Sequence, residues 1–294
     1  MKLGMIGLGR MGWGMTQRLR GKGHEVVGFD FSPDHRDVAA VADLVAALPA
    51  PRAVWVMVPS GAPTEATIAN LAELLEPGDL VVDGGNSNFH DSVRRGQVLA
   101  ERGIFFIDAG VSGGIWGLKE GFCLMVGGEA EKVATMQPIF DALAPQGGFV
   151  HCGPAGAGHF TKMVHNGIEY GMMQAYAEGF ELLAASELAI DTTAVVDAWC
   201  HGSVVRSWLL ELLSLGLAGD PRLERVRGYV EDSGEGRWTV QEAVRLGVPA
   251  NVLSASLFAR FTSRQDDSPA MKVLALLRHG FGGHAVKEAG ASPD

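Results

Sequence analysis

Cysteine is scarce in this chain. Three occur in 294 residues, Cys123, Cys152 and Cys200, and no two stand in a Cys-x-x-Cys spacing. A disulfide-built secreted scaffold is thereby excluded, and the usage is that of reduced thiols in a cytoplasmic protein. The nine histidines show no ligand spacing, so no metal centre is expected. No apolar run is long enough to span a bilayer, and the opening MKLGMIGLG is too short and too glycine-rich for a signal-peptide core. A basic excess is missing as well. The formal net charge is -10, which argues against nucleic acid or an anionic membrane as the partner, because both are met by basic surfaces. A small anionic ligand stays open, since a local group of arginines can hold one against a negative background. Low-complexity segments, blocks of like charge and tandem repeats are also lacking.

What is present is a soluble globular composition, 47% hydrophobic and 20% charged, in a length that suits one large domain or two ordinary ones. KLGMIGL reads as a short strand, GLGRMG fits G-x-G-x-x-G, residues 11–20 read as a helix, and HEVVGFD reads as a second strand ending at Asp30. Between strand and helix, with an acid 18 residues after the last glycine, the pattern is that of a dinucleotide loop. Gly7 allows the tight turn, Gly9 lets backbone approach a pyrophosphate, and Gly12 lets the helix pack on the strand. The loop Gly7-Leu8-Gly9-Arg10-Met11-Gly12 is expected to hold the cofactor at the helix N-terminus. Asp30 would accept hydrogen bonds from the adenosine ribose hydroxyls and repel a 2′-phosphate, so NAD is favoured, with NADP possible through nearby Arg36.

Strands and helices keep alternating to about residue 158. The expected fold is therefore an α/β, Rossmann-type doubly wound N-terminal domain over 1–158 and an all-α domain over 159–294. Ligands in such sheets bind beyond the carboxyl ends of the strands. Val58-Pro59-Ser60, Gly84-Gly85-Asn86-Ser87 and Val111-Ser112-Gly113-Gly114 fall at such ends. For Asn86 and Ser112 taken singly, ordinary turn chemistry is an equal reading.

The second part opens with GHFTKMVHNGIEYGMMQAYAEGFELLAASEL, which reads as one long helix without proline. At about 100° per residue, Lys162, His165, Asn166 and Glu169 share one stripe, with Tyr170 at its edge. Met163, Val164, Ile168, Met172 and Met173 cover the other faces. A solvated face would run on in Glu and Lys. This stripe is short, mixed, and follows a glycine-rich loop, so it is expected to face a cleft. A lysine in a dry cleft can act as the base that hydride transfer from an alcohol requires. A carboxylic acid on the same face adds a second proton transfer, which suits oxidation followed by decarboxylation and protonation of an enediol on carbon.

GLGRMG, DGGNS, VSGG and GAGHFTKMVHNGIEYGMMQ together resemble the decarboxylating 6-phosphogluconate dehydrogenases, in their compact form, from residue 1 to about residue 287. GEGRWT (234–239), the GVP and FAR that follow it, and the closing RHGFGGH resemble family segments as well. The resemblance implies Lys162 as the residue that takes the 3-hydroxyl proton and Glu169 as the acid that protonates C1. It implies sugar-acid contacts from Asn86, Ser112, Gly113, Gly114, His165 and Asn166. Phosphate contacts are implied for Tyr170, Arg260 and Arg278, and a C-terminal substrate contact for His284. Val58, Pro59 and Asn86 join the glycine loop and Asp30 as cofactor contacts. A tail that reaches a neighbouring subunit's site implies at least a homodimer.

Two departures stand out. Longer members of the family carry a phosphate-binding lysine just before the glycines of their version of GEGRW, where this chain has Glu231, Asp232 and Ser233. NADP-using members carry a polar and basic pair where this chain has Asp30 and Phe31. The rival readings are a 3-hydroxyisobutyrate-type β-hydroxyacid dehydrogenase acting on an unphosphorylated acid, and a non-catalytic NAD-binding sensor. The trio Arg260, Arg278 and His284 separates the first from a phosphorylated sugar-acid enzyme, and the intact stripe separates the second.

Overall fold

The protein is described from a computed structural model covering residues 1–287. The chain forms two compact units, Met1–Ile168 and Glu169–Asp294, divided within a long helix. The first unit alternates strand and helix. It runs β1 (Lys2–Ile6), α1 (Arg10–Gly21), β2 (Glu25–Phe29), α2 (Val41–Ala46), β3 (Ala53–Val56), α3 (Ala62–Leu74), β4 (Leu80–Asp83), α4 (Phe89–Ala100) and β5 (Phe105–Ser112). A 3-10 turn (Gly114–Trp116), α5 (Gly117–Glu120), β6 (Cys123–Gly128), α6 (Ala130–Thr135), α7 (Gln137–Leu143) and β7 (Phe149–Gly153) follow, and α8 (Ala157–Ala184) begins here. The short α2 has no counterpart in the sequence reading.

The sheet is ordered β2-β1-β3-β4-β5-β6-β7. All of its pairings are parallel except β5 with β6. The connection 113–122 explains the exception. It holds only short turns, and a parallel return needs a crossover of a dozen or more residues, so β6 runs back beside β5. Every residue of β3 and β4 is buried, as expected for a sheet covered by helices on both faces. The side-chain period of two divides them: Trp55 and Val82 join one core with Leu3, Ile107 and Phe140, whereas Val54, Val56 and Val81 join the other with Leu71 and Leu99.

Asp108 on β5, fully buried, caps the start of α8. Its carboxylate accepts the amides of Gly156 at 2.6 Å and His159 at 2.7 Å. Helix and sheet come this close because Gly158 faces Gly127: a Cβ on Gly158 would stand 2.5 Å from the Met125 carbonyl oxygen, and one on Gly127 2.7 Å from the Gly158 amide nitrogen.

The second unit is helical. Beyond the remainder of α8 it contains α9 (Thr192–Trp199), α10 (Trp208–Gly219), α11 (Glu235–Leu246), α12 (Asn251–Thr262) and α13 (Pro269–Gly282). Asp191 and Ser207 cap α9 and α10 by accepting the amides of Ala194 and Leu210. Helix α8 stops at Ala184, short of the leucine at 188 where the sequence pattern ends, and there the Ser186 hydroxyl accepts the Leu188 amide in place of a helical partner. The core of this unit is small: Val196, Leu210 and Leu217, with Tyr176, Phe180, Cys200 and Leu213 packed around them. Much apolar surface is left over. Helix α13 buries none of its residues, and Leu274, Leu276, Leu277 and Phe281 are more than half exposed. Ile168 and Met172 on α8, which the sequence pattern places on an apolar face, are 52% and 36% exposed.

Candidate active site

The turn after β1 works as its glycines require. Gly7 has φ 94, and a Cβ on Gly12 would stand 1.9 Å from the Gly7 carbonyl oxygen, so α1 can start only where that side chain is missing. Nothing lies within 4 Å of a Cβ built on Gly9, which leaves its backbone open. A groove of about 780 Å³ opens here, lined by Gly7, Gly9, Arg10, Met11 and Gly12, by Asp30 and Phe31, and by Val58 and Pro59. Pro63, Ala66, Thr67 and Asn70 of α3 also line it, a wall the sequence reading missed because nothing in the α3 pattern distinguishes a groove face from an ordinary helix surface. Leu8 does not line the groove: its amide donates to Asp30 Oδ2 at 2.6 Å and its side chain is buried. The Ser32 amide donates to Asp30 Oδ1 at 2.9 Å, so both carboxylate oxygens are fixed in direction and keep lone pairs for a ligand diol. His35 stacks on Trp13 with ring centroids 4.1 Å apart, which ties the loop bearing Arg36 to α1. An open glycine turn at a helix start, with a fixed acid at the end of the next strand, fits a nicotinamide dinucleotide.

Asn86 and Ser112 stand at the carboxyl ends of neighbouring strands. Asn86 adopts φ 50, and its side-chain amide makes two bonds to one residue: Oδ1 accepts the Val111 amide at 3.0 Å and Nδ2 donates to the Val111 carbonyl at 3.2 Å. It is not among the residues lining the dinucleotide groove. Gly113 and Gly114 turn the chain at φ 130 and 53 immediately after Ser112, in conformations that favour glycine.

Lys162 is 5% exposed. Its Nζ donates to Asn166 Oδ1 at 2.7 Å and lies 3.4 Å from His165 Nδ1, which in turn lies 3.0 Å from Asn166 Oδ1. The three form one polar group over a single helical turn. It rests on Gly110 of β5, where a Cβ would stand 2.4 Å from Lys162 Cβ. Gly110 is a contact of this polar group that the sequence reading did not single out, although DAGVSGG contains it. Glu169 lies two turns along the same helix and is half-buried.

In the second unit Tyr170 is 6% exposed and organises the segment before α11. The Ser233 amide donates to its hydroxyl at 3.2 Å, and a Cβ on Gly236 would stand 2.4 Å from its ring. The Arg260 guanidinium covers the ring at 3.6 Å and donates to the Glu231 carbonyl at 2.8 Å. Asp232, one of the acids that precede GEGRW, is neutralised locally by Arg237 and by Arg264 at 2.9 Å. The hydrogen bond from Arg237, and then that from Arg264, hold its carboxyl below the usual carboxylate range. Sequence reasoning missed both arginines. Arg278 on α13 and His284 beyond it are exposed, and the chain does not bury them in this cluster. Among the described residues no group of three or more His, Cys, Asp and Glu is placed to hold a metal, and no helix is long and apolar enough to cross a membrane.

A doubly wound sheet with an open dinucleotide groove, joined to a helical unit through a helix with a buried lysine, is the frame of a nicotinamide-dependent dehydrogenase. Residues 2–153 match the NAD binding domain of 6-phosphogluconate dehydrogenase and residues 158–284 match that enzyme's C-terminal domain. This chain therefore belongs to the 6-phosphogluconate dehydrogenase family of NAD(P)-dependent oxidoreductases. It is 44% identical over 297 residues to the NAD(+)-dependent, decarboxylating 6-phosphogluconate dehydrogenase of Haloferax volcanii, covering 97% of this chain and 98% of that one. With the NAD(+)-dependent enzyme of Bacillus subtilis it shares 35% over 300 residues, covering 93% of this chain and 64% of that longer protein. The 6-phosphogluconate dehydrogenase of Plasmodium falciparum, solved in apo form and with NADP+ and 6-phosphogluconate, aligns with a TM-score of 0.81 at 26% identity, over 99% of this chain and 67% of that one.

Proposed function

We propose that this chain oxidises and decarboxylates 6-phosphogluconate to ribulose 5-phosphate and CO2, with NAD favoured over NADP. The observation that carries the reading is Lys162: a buried amine held by Asn166 and His165 against a glycine of the sheet. The bound nicotinamide would accept the hydride from C3. Lys162, entering unprotonated, takes the C3 hydroxyl proton as that hydride leaves. The resulting ammonium donates to the new C3 carbonyl oxygen while the C1–C2 bond breaks and CO2 departs, leaving an enediol. Glu169, as the acid, delivers a proton to the former C2, now C1 of the enediol, while Lys162 takes back the proton of the adjacent hydroxyl, and ribulose 5-phosphate is complete.

Ser112, Gly113, Gly114, Asn86, His165 and Asn166 are assigned to the sugar acid. Tyr170 and Arg260 are assigned to its phosphate, with Ser233 replacing a lysine by a neutral donor. Asp30 supports the NAD preference, because both its oxygens are already aimed by backbone amides and a 2′-phosphate would meet that charge. We assign residues 1–158 to the cofactor, and 159–294 to substrate and self-association; 288–294 lie outside the described residues. The bare apolar face of α13, which carries Arg278, supports a homodimer or higher homo-oligomer in which Arg278 and His284 complete a partner's site. Three cysteines without disulfides support a reducing, cytoplasmic setting.

The test follows NADH and CO2 together with 6-phosphogluconate, comparing NAD with NADP and with 3-hydroxyisobutyrate as rival substrate. Lys162→Met is expected to keep NAD affinity and to lower kcat by at least about 1,000-fold, the scale of a lost general base and its positioning. Near-normal turnover in Lys162→Met would remove the amine from the chemistry.

A further inference from the structure

Under the loops that end β3, β4 and β5 lies a chain of charges to which the reaction above gives no task. Asp83 closes β4 and is wholly buried, and the Arg95 side chain on α4 is 2% exposed. Arg95 Nη1 donates to Asp83 Oδ2 at 3.2 Å, while its Nε donates to Glu65 of α3 at 2.9 Å. Arg94 holds the same Glu65 carboxylate through two bonds at 2.8 and 2.7 Å. On its other side the Asp83 carboxylate accepts the Ser87 hydroxyl at 2.9 Å and the Gly85 amide at 3.0 Å. The turn 84–87 is thus gripped from below at both ends.

Asn86 sits inside that turn in the left-handed region, with its amide on Val111. Gly85 is pressed to the β3 loop, where a Cβ would stand 2.7 Å from the Val58 carbonyl oxygen. The buried Thr64 hydroxyl donates to the Pro59 carbonyl at 2.9 Å and ties that loop to α3. One connected network therefore sets three strand-end loops at once. A buried ion pair is weak support for stability, because apolar side chains of equal volume often serve as well or better. Its use here is geometric: Arg95 spans two carboxylates with two different nitrogens, which a lysine's single ammonium cannot reproduce.

We infer that Glu65, Arg95 and Asp83 are positioning residues that hold Asn86, and through it Val111 and Ser112, for the nicotinamide half of the cofactor and for the substrate, an assignment that rests on the roles proposed above for Asn86 and Ser112. The adenosine half is held chiefly at Gly7–Gly12 and Asp30, to which Glu65, Arg95 and Asp83 make no hydrogen bond.

The experiment uses the full-length enzyme and Arg95→Lys, with Glu65→Gln as a second variant because Glu65 is partly exposed and tolerates change more readily. Tm, binding of ADP-ribose and of NADH by tryptophan fluorescence, and KM and kcat for 6-phosphogluconate are measured. ADP-ribose is expected to bind both variants within about two-fold of wild type. NADH should lose the extra affinity its nicotinamide gives it. KM is expected to rise about 10-fold and kcat to fall about 10- to 100-fold in Arg95→Lys, with a smaller change of the same kind in Glu65→Gln. Equal weakening of ADP-ribose and NADH alongside a fall in Tm would make the network merely structural and overturn the inference, as would an unchanged NADH to ADP-ribose ratio with unchanged KM. Should wild type fail to turn over 6-phosphogluconate, the substrate assignment falls, and the comparison of NADH with ADP-ribose still decides the network.

Discussion

The position of Lys162 depends on a missing methyl group. Gly110 lies in a strand, where glycine weakens the ladder and packs nothing, and its use is to let the lysine stem cross the sheet surface. Gly110→Ala would place a Cβ 2.4 Å from Lys162 Cβ, with the Gly158 carbonyl oxygen 3.1 Å away on the other flank. The helix must then lift or the lysine must turn. We expect Gly110→Ala to lower kcat about 100-fold, as a displacement near 1 Å does, while ADP-ribose affinity holds; steady-state kinetics and fluorescence titration check it. The meeting of Lys162 with His165 and Asn166 was legible, because polar residues three and four apart on an otherwise apolar helix lie on one face. Gly110 was not. A glycine in a strand signals close approach without saying to what, and the partner lies 52 residues further along the chain.

At the scale of elements, α3 and α4 are joined by Glu65 with Arg94 and Arg95. The hydrogen bond from Arg94, then that from Arg95, lower the Glu65 carboxyl from 4.5 to about 2. A depressed carboxylate contributes its stabilisation above its unfolded value and loses it as the pH falls towards the folded one. The Tm difference between wild type and Glu65→Gln is therefore expected to be constant from neutral pH down to about 4.5, to shrink below it, and to vanish near pH 2. Thermal melts of both proteins across that range measure it. The strands were legible because buried parallel strands read as unbroken apolar runs between turn glycines. The reversed direction of β6 was not, since a strand's pattern carries no arrow; only the shortness of 113–122 encodes it. The Asp83–Arg95 pair was hidden because each half, alone, looks like ordinary strand-end or helix-surface charge.

For the whole molecule, the helical unit holds too little core for its apolar content. Helical spacing alone does not tell an apolar face that covers its own core from one left bare, and the exposed side chains of α13, on which the proposed oligomer rests, become visible only in the structure. Leu274→Glu, on that bare face, is expected to convert an oligomer to monomer in size-exclusion chromatography with light scattering. It should also abolish 6-phosphogluconate turnover while leaving ADP-ribose binding intact. A wild-type protein that runs as a monomer would refute the shared site.

Asp108 has one more effect. The N-terminus of α8 presents peptide dipoles that would attract an anion, and this carboxylate, out of reach of solvent, already satisfies them. The longest helix in the protein is therefore electrically silent where it meets the sheet. An anion approaching Ser112 therefore gains no pull from that helix start, whose amides Asp108 already holds, and its recognition there is left to individual hydrogen bonds and side-chain charges.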